Sequence, residues 1–224
     1  ALSTPTSRTV TVTFVSSAQA AAEAVLVAEK GGAVLWIVDT VDAAQQQYRH
    51  FQETVGDNFP VGLLHSRFPF HRREALEAEW MERFGKEGST RCGSILVSTQ
   101  IVEQSVDLDA DLMVSELAPT DMLLQRLGRL WRHERGRRPV DAPCIRIIRE
   151  EASETELRTM APKAIVASLG GKAFVYEPFV LLRTLTVWQE RQTTGVRIPA
   201  QVRELLEATY ADREDNPESW QTLA

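Results

Sequence analysis

Short apolar runs at residues 33–38, 61–64, 95–97 and 112–114 constrain this chain more than any other feature. They are too short for buried helices and lack the alternation of a half-buried strand. They therefore read as strands covered on both faces. Helical patterns stand between them at residues 41–54 and 69–84. Strands alternating with helices predict βαβ units and a parallel sheet. A Thr-alternating strand at 10–15, an alanine-rich helix at 18–30 ending at Gly31-Gly32, and a strand at 144–149 complete the set. Beyond Glu151 the pattern turns helical, with candidates at 154–169, 176–193 and 199–210. The expectation is an α/β lobe over 1–150 followed by a mostly helical extension over 151–224.

Residues 94–133 carry the chemistry. The run at 95–97 is followed by Thr99 and Gln100, at the carboxyl end of a strand, where open α/β sheets bind ligands. A hydroxyl there is placed to meet a phosphate. Asp107 and Asp109 fall in the next loop, suited either to a ribose hydroxyl or to ordinary turn chemistry. Wrapped on one helix, residues 122–133 put Leu123, Leu124, Leu127, Leu130 and Trp131 on one face. Gln125, Arg129 and Arg132 then share an arc of roughly 60° on the other. Gly128 is a point where that helix can end early. Converging guanidiniums suit phosphate oxygens, and a solvated arginine face is the plainer reading of the same spacing. Thr40 or Asp39 is placed to cap the helix at 41–54, and its hydroxyl or amides also suit a phosphate. Arg72 and Arg73 open the helix at 69–84, where cations oppose the macrodipole. An anionic partner, solvent, or Glu74 and Glu77 would relieve them.

Composition limits the partners. With 224 residues and 43% apolar content the chain can bury a sizeable core. A net charge of −6 argues against a protein that coats nucleic acid generally, so any such contact is local. Only Lys30, Lys86, Lys163 and Lys172 are lysines; the remaining cations are arginines. Cys92 and Cys144 lack metal-ligand spacing and fit a reducing cytoplasm, and no membrane span is legible. There is no G-x-x-x-x-G-K-[ST] phosphate loop and no Asp-Glu pair after a strand. The chain holds half of a phosphoryl-transfer site at most, and no metal ligands of its own.

Residues 35–48 resemble helicase motif IV, and His65-Ser66-Arg67-Phe68 resembles the segment after it. Residues 98–109 and 125–133 resemble motifs V and VI of superfamily-2 helicases. Together with residues 181–185 and 196–199, the set resembles the CRISPR-associated helicase–nuclease of type I systems over nearly the whole chain. The resemblance implies a second RecA-like lobe, with a parallel sheet flanked by helices and a C-terminal helical extension. It implies that Thr40, Arg67 and Thr99 hold single-stranded DNA, and that Ser105 and Asp107 border the nucleotide. Arg129 and Arg132 would reach ATP phosphates across a cleft, while Gln104, Gln125 and Arg126 would couple the lobes. ATP and Mg2+ would be held mainly by the first lobe, leaving this chain alone inactive in hydrolysis. Further implied partners are the nuclease domain of the same enzyme and a CRISPR surveillance complex. Asp39 stands where the family often has Asn, mildly repulsive beside DNA, and Trp131 where it often has His. Another superfamily-2 DNA or RNA motor, or a non-catalytic binding lobe, is the competing reading.

Overall fold

The computed structural model describes residues 7–87, 91–103, 107–212 and 216–223. Its centre is a seven-stranded sheet in the order β3-β4-β2-β5-β6-β1-β7. The strands are β1 (Arg8–Val15), β2 (Ala33–Ile37), β3 (Val61–Leu64), β4 (Ser94–Ser98), β5 (Leu112–Glu116), β6 (Cys144–Ile148) and β7 (Val196–Ile198). The first six are parallel. Among the described strands only β7 runs antiparallel, along β1.

The apolar runs form strands because both their faces are covered. On β2, Ala33, Leu35 and Ile37 enter one core. Val34 and Trp36 enter the other. That second core lies under α1 (Ser17–Glu29) and α2 (Val41–Val55), where Trp36 meets Phe51 edge-to-face at 5.2 Å. The first core lies under α3 (Phe70–Phe84), α4 (Thr120–Leu127) and the elements that follow β6. Trp80 of α3 sits directly over Gly62: a Cβ there would come within 1.9 Å of the indole.

After β6 the chain continues as α5 (Glu154–Thr159), α6 (Pro162–Leu169), α7 (Pro178–Gln189), α8 (Val202–Tyr210) and α9 (Glu218–Gln221). The single helix expected at 154–169 is broken in two, because Pro162 cannot continue a helix and biases Ala161 to an extended conformation. α7 is the buried spine of this region. Its Trp188 donates from Nε1 to Thr120 Oγ1 at 3.0 Å, and Thr120 Oγ1 lies 2.6 Å from Thr209 Oγ1. Trp220 is buried too and donates to the Leu157 carbonyl at 3.0 Å. These side chains share one apolar cluster with the sheet, and β7 covers the edge of β1. Among the described residues no single helix is long and apolar enough to cross a membrane.

Candidate functional site

Three strand ends stand side by side at the carboxyl edge. β3, β4 and β2 are neighbours, so Arg67, Thr99 and Thr40, which follow them, line one rim. Thr40 caps α2, its Oγ1 accepting from the Ala43 amide at 3.1 Å. Arg67 is largely exposed and pairs with Asp42 at 3.3 Å. Thr99 is buried, and its amide donates to the Leu64 carbonyl at 3.2 Å. Asp39 is not the cap of α2, and at 6% exposed it is turned under the rim.

Beneath that rim lies a buried polar network around Arg126. Its guanidinium donates to Glu103 at 2.8 Å, Ser115 Oγ at 2.7 Å and the Glu116 carbonyl at 3.2 Å. It also reaches Asp39 at 3.4 Å and the Tyr176 hydroxyl at 3.2 Å. Tyr176 donates to Asp39 at 3.1 Å and accepts from Gln100 Nε2 at 3.0 Å. The Asp39 amide donates to Glu116 Oε2 at 2.7 Å. Burial opposes the Arg126 charge, but Asp39, Tyr176 and Glu103 outweigh it and raise its pKa further. Burial pushes Asp39 up to about 7; Arg126 opposes this, and the neighbouring Glu116 adds to it. Burial and Asp39 likewise push Tyr176 up to about 12. Arg126, which the resemblance has coupling the lobes, is an internal residue, and the carboxyl groups that it satisfies are themselves buried. Gln125 beside it is exposed. Gln104 and Ser105 lie outside the described residues.

The opposite, amino edge holds the other half. The helix expected over 122–133 stops at Leu127. The chain then leaves the helix axis: Ala110 donates to Arg129 O at 2.8 Å and Trp131 donates to Ala110 O at 2.9 Å. Trp131 takes a left-handed φ of 47°, which no α-helix continues. Gln125 and Arg132 consequently do not share a helix face. Arg129 donates to the carbonyls of Val102 at 3.2 Å and Glu103 at 3.0 Å. Arg132, 40% exposed, lies 2.6 Å from Asp107, itself 39% exposed, and His133 lies 3.1 Å from the same carboxylate. Burial is the main cause that lowers the Arg129 pKa, and the like charge of Arg132 adds to it.

A buried acid pair supports this turn. Asp109 accepts from the Arg132 amide at 2.8 Å, from Arg135 at 2.5 Å and from Arg138 at 2.9 Å. Asp111 takes Arg91 at 2.8 Å and Arg138 at 2.7 Å. Burial alone would raise Asp109; Arg135, Arg138 and Arg91 outweigh it and hold its pKa below the usual carboxylate value. Asp109 is thus no simple turn residue. Arg8 of β1 donates to the carbonyls of Trp131 at 2.6 Å and Leu127 at 2.8 Å, tying down both ends of the turn. A cleft of about 630 Å³ opens here, bordered by Arg8, Trp131, Arg132, His133, Arg135 and Arg138. No group of three or more His, Cys, Asp or Glu side chains converges as a metal site among the described residues.

Residues 30–135 match a family described as CRISPR-associated nuclease/helicase Cas3, C-terminal. The CRISPR-associated endonuclease/helicase Cas3 of Escherichia coli (strain K12) is 32% identical over 196 residues, covering 86% of this chain and 20% of the relative. In space, the structure of T. fusca Cas3-ADP superposes with a TM-score of 0.83 at 32% identity, over 98% of this chain and 26% of that one. This chain belongs to the Cas3 family. Its fold is that of the Cas3 C-terminal RecA-like lobe. A Cas3-like fold also occurs in a structure described as a CRISPR RNA-guided surveillance complex, pre-nicking, with a TM-score of 0.74 at 29% identity over 94% of this chain and 26% of that one. The lobe thus spans about a quarter or less of the Cas3 proteins that it matches.

Within this Cas3 lobe the sequence-derived residues separate into two groups. Thr40, Arg67 and Thr99 gather at the carboxyl edge, while Asp107, Arg129 and Arg132 gather towards the amino edge. Sequence reasoning missed Glu103, Glu116 and Tyr176, and the supports Arg8, Arg91, Arg135 and Arg138. Only the acid string Asp107-x-Asp109-x-Asp111 opposite an arginine-rich 126–138 was a usable signal for any of them.

Proposed function

We propose that this lobe is the C-terminal motor half of an ATP-dependent single-stranded DNA translocase that unwinds and helps degrade invading DNA in type I CRISPR interference. The observation that carries the reading is the contrast between two arginines of one motif. Arg126 is sealed inside with its donors engaged, whereas Arg132 stands half exposed with Asp107 as its ion-pair partner. A guanidinium held at a surface by one equally exposed carboxylate suits a phosphate across an interface. The donor set thus fits ATP phosphates. It does not fit Mg2+, which the first lobe would hold with the nucleotide. ATP bound there supplies the phosphoryl transfer that drives movement. Arg132 and Arg129 would neutralise charge on its phosphates, with Asp107 orienting Arg132. Thr40, Arg67 and Thr99 would grip the DNA backbone without reading sequence. The lobe alone would not hydrolyse ATP. Its partners would be the first lobe and nuclease domain of the same cytoplasmic enzyme, and the surveillance complex.

The test is ATP turnover by the complete two-lobe protein at saturating single-stranded DNA. Arg132→Ala is expected to lose about 10³- to 10⁵-fold, the usual contribution of an arginine finger, with its melting temperature unchanged. Arg132→Lys keeps the charge without the fork and recovers only part. Turnover equal to wild type in Arg132→Ala would remove the assignment.

A further inference from the structure

Among the described residues the most exposed large apolar side chain is Phe174, at 89%. It lies in a short 3-10 turn, Gly170–Phe174, between α6 and α7. Isolated exposed apolar residues are ordinary, but this turn is fastened on both sides. Ahead of Phe174, Lys172 Nζ lies 2.5 Å from the buried carboxylate of Glu151. Behind it, the Tyr176 hydroxyl reaches Asp39, Gln100 and Arg126. The amides of Val175 and Tyr176 both donate to the Lys172 carbonyl. Inward-directed residues at 172 and 176 thus bracket an outward-directed ring. Tyr176 bonds the residues that adjoin Thr40 and Thr99, so the turn caps the carboxyl edge of the sheet.

We propose that Phe174 is a stacking platform for an unpaired base of single-stranded DNA crossing that edge. The inference rests on the reading that Thr40, Arg67 and Thr99 hold the DNA backbone. Thr40 and Arg67 offer a hydroxyl and a charge to phosphates, Thr99 lies buried between them, and none of the three offers a surface to a base. Phe174, with the exposed Val175 beside it, offers one. The bracing means that the backbone bearing the ring is already ordered, so little is lost on binding. Stacking accepts every base, as a motor that moves along any sequence requires.

Equilibrium binding of the complete two-lobe protein to an oligo-dT strand, and to an abasic strand of equal length, tests this. Phe174→Ala is expected to bind the dT strand roughly ten-fold more weakly while leaving abasic binding as in wild type, the size of one lost stack. Phe174→Tyr keeps the ring and is expected to bind dT as wild type does. Melting temperatures should not move, since the ring is in solvent. If Phe174→Ala binds both strands like wild type while Arg67→Ala and Thr99→Val weaken both, the platform is overturned and the DNA path stands. If none of the three substitutions changes binding, the carboxyl edge is not the DNA path and both readings fall together.

Discussion

Arg126→Ala isolates what the buried network contributes. The substitution removes a guanidinium with no exposed surface and leaves Glu103 and Asp39, whose side chains are 4% and 1% exposed, without their cation. Truncating one partner of a buried ion pair costs about 3 to 5 kcal/mol, because a charge is left uncompensated. Asp39 escapes part of that cost: its pKa already sits at about 7, and losing Arg126 raises it further, so it becomes neutral. Glu103 then carries most of the penalty, which places the expectation near 3 kcal/mol, at the lower end of that range. A lobe of this size loses roughly 2 to 4 °C per kcal/mol, so the melting temperature should fall by about 6 to 12 °C. Thermal and urea unfolding of the 224-residue chain at pH 7 reads both quantities, and the urea slope should not change. Arg132→Ala is the control: surface changes are usually within about 0.5 kcal/mol. An Arg126→Ala protein that melts with wild type would refute the reasoning. It would mean that water or rearranged side chains already compensate Glu103, and the internal role assigned to Arg126 would fail.

Asp39→Asn should alter the pH dependence of stability. The folded carboxyl sits at about 7 against an ordinary 3.8, so the native state binds the proton more tightly than the unfolded chain. Its contribution is fully present below about pH 4 and is lost as pH rises to about 7. Asn cannot ionise, so the stability of Asp39→Asn relative to wild type should climb between those limits and then level off; parallel curves would contradict this. Gly62→Ala should destabilise by about 1 to 3 kcal/mol through its clash with Trp80, read from the urea midpoint. Trp80→Phe in that background should recover part of the loss, and no recovery would place the strain elsewhere.

The strands were legible because burial on both faces leaves a local signature: every residue of β2 and β4 is buried, and every one is small or apolar. The end of α4 was not, and the reason is instructive. Leu123, Leu127 and Leu130 continue a helical spacing and all three are buried. Yet Leu130 is buried through its bridge to Ala110, after the helix has ended. A period of apolar residues records which side chains meet the core, not what backbone carries them there. The supports of the site were hidden for a different reason. Tyr176 and Asp39 are separated by 137 positions, Arg8 and Trp131 by 123. No local pattern specifies such a pair; only the strand order brings its members together.

That same strand order explains why the two halves of the site stand at opposite edges of one sheet. Parallel neighbours force each connection to return from the carboxyl edge to the amino edge. The stretch from Thr99 to Asp111 makes that return between β4 and β5, and α4 makes the next one. The segments that resemble motifs V and VI therefore begin near the carboxyl rim and end near the arginines. Glu103 stands where the two returns touch: its carboxylate takes Arg126 and its carbonyl takes Arg129. Arg126 goes on to Asp39, next to Thr40. Proximity alone is not coupling, but these are hydrogen bonds among largely buried groups, which cannot be stretched without leaving polar atoms unpaired. In the proposed cycle, a pull on Arg129 at the amino edge must then either move Glu103, and with it the rim, or break those bonds.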